Sequence, residues 1–429
     1  MKQILPKITM MTKFPVKGYW FLPNHEENRI AGILNVEGDR FRLELFGSLN
    51  GNSHDEYLSS LEKEQSKNTP AIFGRGANGE GYSLLNCIPG ASSLNLNSEF
   101  PLTSFIVGDI VAGCFLEDPN EAIFKKIRVQ YSHLQEWLGF TGITRTSVDE
   151  SGFSLEYKYP EPIAIAIDDQ YKFTLNYKYD YQGKDQYRRE INQDVFVDIE
   201  SQISVSYLEL SKQISLFCDF LSLATLSEVK VAAIKLFWNM KGEHEHNRPI
   251  TLDVFLEPPL SYTPTVKHFS KFLFSFNQVD HLVKKLLENW LHMDGDLWPI
   301  RRYLIENIKP NNVFAVNNFL NIVQSLEGFH RRFRYAKQKG LSDRLLCLHD
   351  EFCHLSVISS AFVNKTEIFK QVVDSRHYYS HFYKKDSDDI LDGKELYYVT
   401  KKIKLLLVAC FLNQIGFDND IIEVALTKV

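Results

Sequence analysis

NKTEIFKQVVDSRHYYSHFYKK, residues 364–385, reads as one amphipathic helix and sets the fold of the second half of the chain. Asn364 followed by Glu367 has the form of a capping box with Asn in place of Ser or Thr. Phe369, Val372, Val373 and Phe382 then turn toward a core. The same helix carries Arg376 and, five positions on, His381. Arg stays charged and forks onto phosphate oxygens, and His titrates near neutrality and can pass protons. Together beside one phosphodiester they suffice for metal-free cleavage of RNA, the nucleic acid that carries its own 2′-hydroxyl nucleophile. In a straight helix five residues turn through roughly 140° net, so the pair is expected to flank a face. Two copies across a two-fold axis would bring two Arg and two His into one cleft. The alternative is a solvated helix face with no chemistry.

Working outward, the residues on either side also read as helices. Val316, Phe319, Leu320, Val323 and Leu326 predict a helix that runs through EGFHRRFRYAK (327–337) and stops at Gly340. Ser342 is expected to cap the next helix, which carries Leu345, Leu348, Phe352 and Leu355. DDILDG (388–393) reads as a turn and KELYYVTKKIKLLLVACFLNQI (394–415) as the last helix. Residues 266–429 are therefore expected to form an all-α bundle.

Residues 1–265 read differently. Phe41, Leu43 and Leu45 alternate with polar residues, as do Phe153, Leu155 and Tyr157, then Ile163, Ile165 and Ile167, then Tyr171 through Tyr179. Period-two alternation marks half-buried strands in an antiparallel meander or sandwich. Near residue 203 the period changes, and Val205, Leu208, Ile214, Phe217, Leu221 and Ala224 fit one long helix. VKVAAIKLFW (229–238) and ITLDVFLE (250–257) return as strands to the first sheet. EPPLSYTPTV (257–266) reads as the linker. The fold class is α+β in two domains: a mostly antiparallel β domain with a long helix, then a helical bundle.

Composition fits this. The 429 residues are 44% apolar and 24% charged, as in a soluble globular protein. No apolar run reaches the roughly 18 residues of a membrane span. The N-terminal apolar stretch is broken by Pro6 and Lys7, which makes a poor signal peptide. Six scattered cysteines suggest a reduced, cytoplasmic protein. Residues 267–429 hold 23 Lys and Arg against 19 Asp and Glu, a balance of +4, which leaves −10 for the rest of a chain whose net charge is −6. The helical part is the better partner for an anion.

Other constellations have two readings each. Gly74, Gly76 and Gly79 have dinucleotide-loop spacing, but YSLLNC follows where a helix is needed, so a hairpin loop without cofactor is expected. Cys347, His349, Cys353 and His354 lack the spacing of a zinc knuckle and fit a helix, so no metal is expected. His244 and His246 read as a polar loop. Arg331, Arg332, Arg334 and Lys337 either favour the negative end of a helix dipole or track phosphates beside the motif. Glu327 either orients Arg376 or makes a plain surface ion pair. Of Tyr378 and Tyr379, one can stack on a base or donate to phosphate and the other packs inward. Asp374 projects away from the pair and is assigned no role.

Arg376-His377-Tyr378-Tyr379-Ser380-His381 resembles the Arg-x4–6-His signature of HEPN ribonucleases, including the polar residue, His377, after the Arg. VVDSRHYYSHF (372–382) resembles the C-terminal HEPN domain of ApeA-type anti-phage proteins. GYWFLPNHEENRIAGILNVEGDRFRLELFGSL (18–49) and SYLELSKQISLFCDFLSLAT (206–225) resemble the N-terminal part of that family. The resemblance implies a metal-independent RNA endonuclease of phage defence that works as a homodimer and answers a phage-derived trigger, with Arg376 and His381 catalytic. The competing reading is a catalytically silent HEPN interaction or sensor module.

Overall fold

A computed structural model of the chain describes residues 13–49, 69–90, 100–149, 152–183, 187, 189–238, 250–256, 268–293, 295, 298–308, 316–335, 337–381 and 390–429. The linker reading at 257–266, His244, His246 and Phe382 lie outside these.

Chain order begins with β1 (Val16–Phe21), β2 (Ile30–Glu37), β3 (Arg40–Phe46), β4 (Thr69–Gly76), β5 (Gly81–Pro89) and β6 (Leu102–Val107). They pair antiparallel in the order β5-β4-β1-β2-β3-β6, and β5 also bonds β6, so the six close into a barrel. Closure removes free edges, and the interior holds its own core of Trp20, Leu34, Leu43, Ile72 and Leu84. Gly74 lies opposite Trp20 in the register. A Cβ on Gly74 would come 2.2 Å from the Trp20 ring. Gly74→Ala should therefore cost on the order of 1–3 kcal/mol by overpacking and lower the melting temperature. An unchanged melt would contradict this packing.

The sheet continues beyond the barrel through β7 (Asp109–Ala112), which bonds β5. The remaining strands are β8 (Phe124–Tyr131), β9 (Ile143–Asp149), β10 (Gly152–Tyr157), β11 (Ile163–Ala166), β12 (Tyr171–Gly183), β13 (Arg189–Val205), β14 (Val231–Trp238) and β15 (Ile250–Phe255). Their order is β7-β15-β14-β8-β13-β12-β11, with β9 and β10 a separate hairpin. The register sets Phe173 against Ile199, Leu175 against Val197 and Tyr177 against Val195. These pairs put the alternating apolar residues on one buried face.

A short helix, α1 (Leu134–Leu138), and a long one, α2 (Tyr207–Thr225), cover that face. The Ser206 hydroxyl accepts from Glu209 N at 3.2 Å, and the Glu209 carboxylate accepts from Ser206 N at 2.8 Å. This capping box starts α2 about four residues after the period changes. Val205 therefore belongs to β13, and Leu208 lies on the exposed side.

The helical part comprises α3 (Phe276–Val279), α4 (Val283–Leu291), α5 (Trp298–Ile308), α6 (Val316–Phe333), α7 (Leu341–Phe352), α8 (Ser356–Ala361), α9 (Lys365–His381), α10 (Gly393–Ile415) and α11 (Asn419–Leu426). Several boundaries differ from the sequence reading. α6 ends at Phe333 because Arg334 N and Tyr335 N both turn onto the His330 carbonyl, at 3.0 and 2.8 Å. Gly340 and not Ser342 is the N-cap residue of α7. Leu355 caps α8, and α10 is followed by α11.

Sheet and bundle share one apolar core. Trp290 on α4 is fully buried, and its indole N–H donates to the Leu216 carbonyl of α2 at 2.8 Å. Its ring lies 6.0 Å from Phe220 of α2 and 6.3 Å from Phe411 of α10. Asp219 of α2 faces the buried Arg301 of α5 at 3.8 Å.

Candidate active site on helix α9

α9 packs on α6 and α7 through Ile368, Phe369 and Val372, all buried. Ser375, also buried, accepts from Leu391 N at 2.9 Å, and the Tyr379 hydroxyl donates to Leu391 O at 2.9 Å. These two bonds hold residues 390–392 against α9. Tyr379 is thus the inward tyrosine of the pair, and burial pushes its pKa up. Tyr378 sits edge-on to it with ring centroids 5.0 Å apart.

Arg376 and His381 meet at their tips. Arg376 Nη1 lies 3.4 Å from His381 Nε2. This corrects the expectation that the pair flanks a face: the Arg side chain is long enough to cross the 140° of helix. A guanidinium only donates, so in this contact Nε2 is the accepting atom. Arg376 Nε is buried without a hydrogen-bond partner. Glu327 of α6 approaches Arg376 Nη2 at 4.0 Å, too far for a hydrogen bond, and accepts from Arg331 Nη2 at 3.0 Å. It thus lies between the two arginines, one negative charge against two positive, and bonds only the second. His377 is exposed, with its ring centroid 6.0 Å from that of His381.

The basic run divides. Arg331 joins the motif through Glu327, and Arg332 and Lys337 are exposed. Arg334 is committed elsewhere: Nε and Nη2 grip Glu351 at 2.8 and 2.5 Å, and its guanidinium stands 5.3 Å over Phe329. It is a clamp between α6 and α7, and it is left out of the RNA groove proposed below.

Sequence reasoning missed Arg344. It is 1% exposed. It donates to the carbonyls of Lys339, Tyr335 and Lys337 at 3.2, 3.0 and 2.8 Å, and to His330 Nδ1 at 2.9 Å. The basic segment is wrapped around this one side chain. The available signal was an arginine next to Leu345 and in register with Leu348 on an apolar helix face.

His330 must be neutral, since its Nδ1 accepts from Arg344. Burial, and then the Arg344 charge, hold its pKa below the ordinary 6.5. The unfolded chain takes up that proton first, so the stability contributed by neutral His330 is complete above about pH 6.5 and is lost as pH falls below it. The melting temperature of the wild type should therefore fall more steeply from pH 7 to pH 5 than that of His330→Gln, whose amide oxygen can accept the same bond. Equal slopes would count against a buried neutral His330.

Around the glycine-rich turn β4 and β5 form a hairpin, as expected. Gly76 N bonds Glu80 O at 2.9 Å, Ala77 N bonds Lys17 O at 2.9 Å and Gly79 N bonds Gly76 O at 2.8 Å. These amides are engaged within the sheet. Cys347 and His349 lie on α7, where His349 is buried and contacts Asp350 at 3.0 Å. Among the described residues no group of three or more His, Cys, Asp and Glu is arranged to hold a metal.

The chain is thus a β-rich N-terminal part followed by a helical bundle that carries an Arg-x4-His pair on one helix. Comparison with family models places it further: residues 15–290 match ApeA N-terminal domain 1, and residues 320–421 match the Apea-like HEPN domain. The first match alone covers more than half of the chain, and the chain belongs to the ApeA family. Its HEPN domain points to a nuclease-type role in anti-phage defence; HEPN domains are typically ribonucleases and commonly dimerise. No curated protein and no solved structure matches the chain. No helix among the described residues is long and apolar enough to cross a membrane.

Proposed function

We propose that this chain is a metal-independent RNA endonuclease that acts in the cytoplasm during phage infection, in the manner of abortive infection. The observation that carries the reading is the 3.4 Å approach of Arg376 Nη1 to His381 Nε2. His381 Nε2 takes the proton of a ribose 2′-hydroxyl. The O2′ forms a bond to the adjacent phosphorus, and the P–O5′ bond breaks. Arg376, through its terminal nitrogens beside His381, stabilises the charge that builds on the phosphoryl oxygens. Arg331, Arg332 and Lys337 lead the strand to the site, and Tyr378 is the residue placed to stack on a base.

The leaving O5′ also needs a proton. In-line displacement puts it on the far side of phosphorus from O2′, out of reach of the nitrogen that acts as base. A second copy of His381, brought by a homodimer whose two-fold axis passes near α9, supplies it. The β-rich domain, with a boundary near 265, takes the role of sensor for a phage-derived trigger.

Activity should survive EDTA, leave 2′,3′-cyclic phosphate ends or their hydrolysis products, and stop when the cleaved ribose is 2′-deoxy. Strict Mg²⁺ dependence with 5′-phosphate ends would instead place the protein among metal-assisted nucleases. Mixing inactive Arg376→Ala with inactive His381→Ala subunits should restore part of the activity in mixed dimers. A fully active monomer by light scattering would refute the shared site.

A further inference from the structure

On the outside of the barrel, a groove of about 360 Å³ opens between β1, the 3-10 turn Glu26–Asn28 and the end of β4. Alternation along β1 sends Val16 and Trp20 inward and Lys17 and Tyr19 outward. Tyr19 pairs with Arg75 across the ladder, so Arg75 shares this outer face. The floor is aromatic: Phe21 is buried, and Tyr19 is 50% exposed beside it. The rim is cationic. The Arg29 guanidinium lies 4.9 Å over the Tyr19 ring, and Arg75 stands 5.3 Å over Phe115. Glu26 is the one acid lining the groove, 3.5 Å from Arg75. Among the described residues, Lys17 and Arg29 have no acidic partner. Three cations against one carboxylate stand out in a half of the chain that is acidic overall.

We infer that this groove binds one nucleotide of a single-stranded RNA, its base against Tyr19 and the Arg29 plane and its phosphate held by Lys17 and Arg75. A flat ring with an attached anion is the chemistry that uses both floor and rim. An acidic peptide would pair with the rim and leave the aromatic floor unused. A groove open along the barrel surface lets a strand enter and leave, and the volume suits a single nucleotide. Binding here is through side chains, since the hairpin amides beside it are engaged in the sheet. The inference extends the ribonuclease reading by giving the β domain a hold on RNA, and it rests on that reading only for the choice of RNA.

The test measures fluorescence anisotropy of a short 2′-O-methyl RNA, which lacks the nucleophile, on the full chain carrying Arg376→Ala and His381→Ala. Tyr19→Ala should weaken binding about tenfold. Lys17→Ala with Arg75→Ala should weaken it as much and lower the salt slope by about 0.7, the value for one phosphate no longer neutralised. Glu26→Gln should tighten it, an effect that a purely structural groove would not give. Unchanged binding in the Tyr19 and Lys17/Arg75 variants overturns the inference even if the wild type cleaves RNA. Equal competition by an acidic peptide also overturns it. Groove-dependent binding by a wild type that cleaves nothing would retain the inference and remove the nuclease reading.

Discussion

His381→Ala leaves the fold intact and lowers RNA cleavage and phage protection by roughly 10²–10⁴-fold, the usual loss for a missing general acid or base. The ring is exposed at the end of α9, so no core contact goes with it. Arg376→Ala has a loss of the same order, because the phosphoryl charge then has no fixed donor. Arg376→Lys should recover little: a single ammonium cannot fork onto phosphate oxygens. His377→Ala should have a smaller effect. Cleavage assays on total cellular RNA with matched thermal melts decide the matter. Wild-type cleavage by a folded His381→Ala protein removes the mechanism.

Arg344→Met carries the largest expected loss of stability. The guanidinium is buried and holds three backbone carbonyls and the His330 ring. Removing it strands four acceptors, at about 1–3 kcal/mol for each that water cannot reach. Relaxation of the loop limits the total to on the order of 3–5 kcal/mol, as for other broken buried charge networks. Amide exchange in residues 335–340 should accelerate well before global unfolding, and cleavage should fall with it, since Lys337 and the end of α6 lose their scaffold. A full-strength melt with slow exchange in that segment would show that Arg344 does not organise it.

Periodicity made most of the fold legible. The alternation from Tyr171 to Tyr179 is β12, and its partners on β13 follow in register. The change of period near 203 is α2, displaced by about four residues because the cap is Ser206. Barrel closure could not be read, since it depends on Ile88 meeting Ile106 across a span with no periodic signal. The early end of α6 was hidden for a similar reason: the turn onto the His330 carbonyl is held by Arg344, eleven residues beyond Phe333, and not by a local breaker. In the candidate site, residue identities were readable but rotamers were not. The helix angle separates Arg376 from His381, and only the side-chain reach brings them to 3.4 Å. Whether Arg334 faced solvent or Glu351 depended on how α6 and α7 pack.

The burial of Trp290 between α2, α4 and α10 bears on how the chain unfolds and how a signal could travel through it. With Leu216, Phe220 and Asp219 on one side and Phe411 and Arg301 on the other, neither half can part from its neighbour without baring an aromatic seam. The curved sheet and the bundle should melt together in one calorimetric peak, with the barrel, which has a separate interior, contributing its own. A bundle cut free at the linker should aggregate. A ligand seated on the sheet would then act on α9 as a force on a stiff lever, through α2, α5 and α6 in turn, and not by releasing a loosely tethered effector.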